Sequence, residues 1–236
     1  MALLETKDLT SGYGELQILW GVDLTLEQGI LTSMVGSNGV GKTTLLRTVM
    51  GLIKPWKGQV LFDGRDVTRL SAHEKASLGL VLVPEGRQLF TDMTVRENLE
   101  LGANPRRARQ KAAENLERVF DLFPRLKERE RQKAGTLSGG EQQMVAVARG
   151  IMAEPALLMI DELSLGLSPL LTFSLFRALR LLANQGYTIL LVEQNVHLAL
   201  KVSDYAYILN EGKVELSGPA AEIQGNDKVR AAYLGI

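Results

Sequence analysis

Apolar positions along the chain fall into two kinds of run. Four short, mostly apolar runs, residues 31–35, 80–83, 156–160 and 188–192, read as strands buried on both faces. Between them stand stretches with helical spacing. Residues 41–50 stop at Gly51, which reads as a C-cap. Ser168 and Pro169 read as an N-cap and a first helical proline, followed by Leu171, Leu175, Leu179 and Leu182 on one face. Strands alternating with helices predict an α/β domain around a mostly parallel sheet. Residues 2–27 and 59–67 alternate apolar and polar positions instead, the latter around an Asp63-Gly64 turn, and predict antiparallel strands.

From 88 to 152 no strand pattern emerges. Thr94 and Glu97 form a capping box for a helix that closes at Gly102, and a charged helical region covers 105–133. This stretch is read as a helical subdomain (88–152) inserted into an α/β core made of 1–87 and 153–236, all within one domain. Residues 105–133 hold ten Lys/Arg against five Asp/Glu. Without interleaved aromatics that excess is a solvated helix face, not a nucleic-acid surface. Over the whole chain Lys+Arg and Asp+Glu are 27 each, so no polyanionic partner is implied. The absence of cysteine excludes disulfides and thiolate metal sites. Residues 1–9 are not a secretory signal, and the apolar runs are too short to cross a bilayer. Any membrane role is expected to come through a partner.

Gly36, Ser37, Asn38, Gly39, Val40, Gly41, Lys42 and Thr43 match G-x-x-x-x-G-K-[ST] between a strand and a helix. Such a loop turns successive N–H groups inward around phosphates, at a helix N-terminus that adds partial positive charge. Lys42 can neutralise the β- and γ-phosphates, the Thr43 hydroxyl can ligate Mg²⁺, and Thr44 continues the cradle. The competing reading, a glycine-rich turn alone, leaves Lys42 without a purpose. The apolar run 156–160 then meets two carboxylates at the sheet edge where α/β folds bind ligands. Asp161 is expected to hold Mg²⁺ opposite Thr43, and Glu162 to polarise the attacking water as general base.

A further helix start lies at Leu137, Ser138, Gly139, Gly140, Glu141 and Gln142. Ser138 is the N-cap, Glu141 completes a capping box, and the glycines strip side chains from the tip. A capped helix would suffice to explain it. Together with the phosphate loop and the Asp161-Glu162 strand, however, this string resembles the signature of ABC ATPases, and the resemblance covers essentially the full chain. Val83-Pro84-Glu85-Gly86-Arg87, the stretch 122–126, Ser164 to Leu167, Val192 to Asn195, and Ala232, Tyr233, Leu234 and Gly235 are similar to the LivF-type ATPase of branched-chain amino-acid importers.

The resemblance implies a P-loop (RecA-like) core with an antiparallel β subdomain and a helical subdomain. It implies ATP and Mg²⁺ as cofactors, and hydrolysis coupled to transport at the cytoplasmic face of the membrane. Partners would be a second ABC ATPase subunit, transmembrane permease subunits and, indirectly, a substrate-binding protein. The signature residues 137–142 would contact ATP held by that second subunit, Tyr13 would stack on adenine, and Ser164 to Leu167 would form the D-loop. Residues 94–101 would mark the surface that docks on the permease.

Three positions depart from the family pattern. Glu85 stands at the Q-loop glutamine and is expected to act on the metal or its waters, or to couple to the helical insert. Gln194 stands at the switch histidine and can donate a hydrogen bond but not a charge. Leu163 replaces a proline, so a looser turn after Glu162 is expected. His197 and His73 read as a surface helix residue and part of a capped helix start. Alternatives are a urea or short-amide importer, a soluble ABC protein of ribosomes or DNA, and a switch that binds ATP but barely hydrolyses it.

Overall fold

The structure is a computed structural model that describes residues 1–231, so the motif from Ala232 to Gly235 lies outside the described residues. Strands β1 (Ala2–Tyr13) and β2 (Leu16–Glu27) form a hairpin whose register runs from Ala2 opposite Glu27 to Tyr13 opposite Leu16. Leu24 and Leu26 are buried while Asp23, Thr25 and Glu27 face outward, the period of two that a half-covered sheet requires. All five residues of β3 (Leu31–Val35) are buried. Helix α1 (Lys42–Met50) follows and ends at Gly51, whose φ of 83° is the left-handed cap conformation.

Next come β4 (Lys57–Phe62), β5 (Arg65–Asp66), α2 (Ala72–Leu78) behind a Ser71–Glu74 capping box, and β6 (Leu80–Val83). The helical stretch contains α3 (Val95–Gly102), α4 (Arg106–Arg109), α5 (Ala112–Leu122), α6 (Pro124–Glu128) and α7 (Gly139–Met152). The chain then alternates through β7 (Leu157–Asp161), α8 (Pro169–Asn184), β8 (Thr188–Glu193) and α9 (Val196–Val202). It continues with β9 (Tyr205–Asn210), β10 (Lys213–Pro219), α10 (Ala220–Gly225) and α11 (Asp227–Val229).

Two sheets result. The smaller has the order β2-β1-β4-β5 and is antiparallel, and the larger has the order β10-β9-β3-β8-β7-β6. In the larger sheet β9, β3, β8, β7 and β6 are parallel, and only β10 pairs antiparallel. Leu4, Leu19, Leu45, Leu46, Met159 and Leu190 share the core between the two sheets and α1. Phe120, Val147, Ile151, Ile160, Phe176 and Leu179 share another, joining α5, α7 and α8 to the large sheet. Each such side chain contributes roughly 1.5–3 kcal/mol. Among the described residues no helix is long and apolar enough to cross a membrane.

Four local expectations change. Strand β7 starts one residue after the apolar run begins and ends on Asp161, as expected, whereas β8 extends one residue further, to Glu193. Gly102 is still helical and Ala103 is the C-cap. Packing explains the glycine, because a Cβ there would lie 2.3 Å from the Arg149 carbonyl oxygen of α7. The charged stretch is broken into three short helices, with a single β-bridge between Thr94 and Lys133. Ser168 has the extended N-cap backbone, but its side chain makes no capping hydrogen bond.

Candidate nucleotide site

Because β3, β8 and β7 are adjacent and parallel, their carboxyl ends open on one edge of the sheet. The phosphate loop leaves β3 there. A Cβ on Gly36 would lie 2.3 Å from the Leu209 carbonyl oxygen, and Gly41 caps α1 with φ 109°, so both positions need glycine. Lys42 is 4% exposed. Its Nζ donates to the carbonyls of Gly36 (2.8 Å) and Ser37 (3.0 Å) and lies 3.3 Å from Glu162 Oε1.

A cavity of about 400 Å³ opens over this loop. Tyr13, Ile18, Asn38, Gly39, Gly41, Lys42, Thr43, Thr44, Glu85, Glu162 and Leu165 line it. Tyr13 is half-exposed, and its hydroxyl accepts from Arg47 Nη1 at 3.4 Å. Glu162 follows β7 with φ 51°, a left-handed turn that gives its carboxylate a direction different from that of Asp161. Leu163 is fully buried, and the amide of Glu162 donates to the Val192 carbonyl at 3.0 Å. The looser turn expected from Leu163 is therefore not what the structure has.

Asp161 is 3% exposed, and its Oδ1 has no hydrogen-bond partner. Burial pushes its carboxyl up to about 6. The Thr43 hydroxyl opposes that shift, Glu162 and Glu85 add to it, and Lys42 opposes it. An unsatisfied buried carboxylate oxygen beside a threonine hydroxyl is a fitting oxygen ligand set for a hard divalent cation. Among the described residues no three His, Cys, Asp or Glu side chains gather to hold a metal by themselves.

Asp161 also has a stability consequence. Its folded-state pKa lies above the ordinary 3.8, so ionisation opposes folding. The cost is absent below pH 4, grows between 4 and 6, and is complete above 6, at about 3 kcal/mol or less. Asp161→Asn is therefore expected to raise the melting temperature of the nucleotide-free protein at pH 7.5. The gain should shrink as the pH approaches 4. Equal gains at both pH values, or none, would contradict this origin.

The signature residues lie elsewhere, and none of residues 137–142 lines the cavity. Ser138 caps α7 through the expected capping box with Glu141. Glu141 also pairs with Arg129 Nε at 2.8 Å. Leu137 is buried, and Gly140 is packed so closely that a Cβ would lie 2.2 Å from Leu171 Cδ1. Arg87 Nη1 donates to Gln142 Oε1 at 3.0 Å, and Arg87 Nη2 lies 3.0 Å from where a Gly139 Cβ would be.

Between β6 and α3, Gly86, Arg87 and Gln88 all have positive φ (79°, 65° and 45°). Arg149 of α7 holds this left-handed run by donating to the carbonyls of Arg87 (3.2 Å) and Gln88 (2.9 Å). The loop carrying Glu85 is thus tied directly to the signature helix. Gln194 is exposed and does not line the cavity. His197 is exposed on α9, and His73 lies in the first turn of α2. Sequence reasoning overlooked Ile18 on the cavity wall and Arg149, and it quoted Leu165 and the buried Glu193 only within family stretches, without a role of their own. An acidic residue closing an apolar strand, the signal that marked Asp161, also marks Glu193.

A family model described as ABC transporter matches residues 19–164. The chain belongs to the ABC transporter family. This ABC protein is 39% identical over 233 residues to the high-affinity branched-chain amino acid transport ATP-binding protein BraG of Pseudomonas aeruginosa, covering 99% of this chain and 100% of that one. It is 39% identical over 235 residues to the probable branched-chain amino acid transport ATP-binding protein LivF of Archaeoglobus fulgidus, covering 99% of each. A solved ATP-binding cassette of an ABC transporter in its ADP conformation superimposes with a TM-score of 0.84 at 28% identity over 100% of both chains. The fold is that of the ABC ATPases, and the ABC protein is an ATPase of this family.

Proposed function

We propose that this chain hydrolyses Mg-ATP as one of two ATPase subunits beneath a permease that imports branched-chain amino acids. The observation that carries the hydrolytic part is the juxtaposition of Lys42 and Glu162 at 3.3 Å, in a phosphate-loop cavity beside the unsatisfied Asp161. The cargo is supported by the full-length likeness to two proteins named for branched-chain amino acid transport.

In this reading Thr43 and Asp161 hold Mg²⁺, which neutralises phosphate charge. Backbone amides of residues 36–41 cradle the phosphates, Lys42 neutralises the β- and γ-oxygens, and Tyr13 stacks on adenine. Glu162 takes a proton from the water that attacks the γ-phosphorus while the bond to the β–γ bridging oxygen breaks and ADP leaves. Ser138, Gly139 and Gly140 meet ATP held by the second subunit, a reading supported by their absence from the lining of this chain's own cavity. Gln194 would reach the γ-phosphate only after the exposed turn that follows β8 moves. The helical subdomain, with residues 94–101 at its permease-facing surface, carries closure to the permease at the cytoplasmic face, where a substrate-binding protein delivers cargo to the other side.

Glu85 adds a second carboxylate, beside Glu162, to the cavity wall. Glu85→Gln is expected to raise the Mg²⁺ concentration for half-maximal hydrolysis by about threefold or more. Unchanged Mg²⁺ dependence with unchanged hydrolysis would remove it from the metal site. The function is tested in proteoliposomes holding the chain with its permease, where labelled leucine, isoleucine or valine should accumulate only with ATP. Uptake of urea or a short amide in their place would shift the cargo. Purification on ribosomes or DNA without a permease would overturn the transport reading.

A further inference from the structure

Strand β8 ends on a carboxylate for which the reaction above has no use. Glu193 is fully buried, yet what holds it is neutral: the amide and hydroxyl of Ser164 and the backbone of Asn195. Ser164 N–H donates to Oε1 at 2.9 Å and Ser164 Oγ to Oε2 at 2.8 Å. A carboxylate buried among neutral donors costs more than an apolar side chain would, so its two-point geometry calls for a reason.

The reason lies two residues upstream of Ser164. Glu162 has φ 51°, a region that a non-glycine residue keeps only where its surroundings over-determine it. Strand β8 supplies that determination at both ends of a three-residue turn. The Val192 carbonyl accepts the Glu162 amide at 3.0 Å, and the next residue, Glu193, grips Ser164. Leu163 between them is sunk into the core, but leucine does not fix φ as proline does. The backbone of 162–164 is thereby clamped while the Glu162 carboxylate stays against Lys42. We infer that Glu193 is a positioning residue whose grip on Ser164 fixes the left-handed turn that aims Glu162 into the nucleotide cavity. This rests on the reading of Glu162 as the base.

The test measures kcat and KM for Mg-ATP, with affinity for a fluorescent ATP analogue, across a small set of variants. Glu193→Ala should lower kcat by about 10- to 100-fold with KM and analogue affinity within about twofold of wild type. Glu193→Gln keeps one acceptor and one donor for Ser164, and should restore at least about a third of wild-type kcat. Ser164→Ala keeps the amide bond and should lose about two- to tenfold, the worth of one hydrogen bond. The double variant Ser164→Ala/Glu193→Ala should be no slower than Glu193→Ala. Glu193→Ala within about twofold of wild type, Glu193→Gln as slow as Glu193→Ala, or losses that multiply in the double variant would each overturn the inference. Should Glu193→Ala fail to fold, Ser164→Ala decides: a loss under about 1.5-fold overturns it. Glu162→Gln is run alongside. If it keeps wild-type turnover, the base reading falls and takes the inference with it. If it is dead while Glu193→Ala is fully active, only Glu193 loses its role.

Discussion

Replacing Glu162 with glutamine is expected to cut ATP turnover by about 10²- to 10⁴-fold while leaving Mg-ATP binding in place. The substitution is nearly isosteric. A glutamine oxygen can still accept from Lys42, whose Nζ lies 3.3 Å from Glu162 Oε1, so the contact across the cavity survives. What disappears is the capacity to take a proton from water. Steady-state phosphate release checks the rate, and size-exclusion chromatography with and without ATP checks assembly. The variant should run as a dimer only with ATP, because the nucleotide proposed to join the two chains would no longer be consumed. Turnover within about tenfold of wild type would assign the proton to another group. A wild type that is itself inactive and monomeric would mean that a paralogous subunit or the permease completes the site.

Lys42→Ala should be as damaging by a different route. The lysine is buried and makes three contacts, to Gly36, Ser37 and Glu162. Removing a buried, hydrogen-bonded charge opposite phosphate costs about 2–5 kcal/mol of binding, or roughly 30- to several-thousand-fold in affinity. It also leaves Glu162, at 11% side-chain exposure, without its cation; breaking such a pair costs up to about 3–5 kcal/mol of stability. The variant should therefore bind a fluorescent ATP analogue far more weakly and melt earlier without nucleotide. Its stability shift is opposite in sign to that of Asp161→Asn, although both remove one charge from the same neighbourhood. A Lys42→Ala protein that melts with the wild type would show that the ion pair contributes nothing.

The features legible in the sequence are those written within a few residues of themselves. The phosphate loop, the three capping boxes at Ser71, Thr94 and Ser138, and the apolar strands are local patterns, and the structure has each of them. Asp161 was legible as an acid closing an apolar run. Glu193 closes one too, but its partner Ser164 is 29 residues away and no spacing rule joins them. Gly102 was misread because glycine after a helix usually caps it. Here the glycine is demanded by contact with α7, which only the packing reveals. Lys75 gave no signal at all. It is fully buried, with its ammonium pushed down to about 8 by burial and donating to the Val49 carbonyl at the end of α1. At Gln194 the position was readable but the direction was not, since a side chain at a strand end can turn to either side of the sheet edge.

Ser138 has one proton to give, and it is already given. Its Oγ donates to Glu141 Oε2 at 2.7 Å, so offering that hydrogen to a phosphate oxygen on the facing subunit means turning away from Glu141. Glu141 tolerates the loss because Arg129 stands 2.8 Å from its other oxygen. The hydroxyl is thus on loan between an internal creditor and an external one, and Arg129 underwrites the exchange. In the proposed two-subunit site, a substitution at Arg129 would then be felt as tighter retention of the Ser138 hydrogen by Glu141 and a weaker hold on the nucleotide opposite.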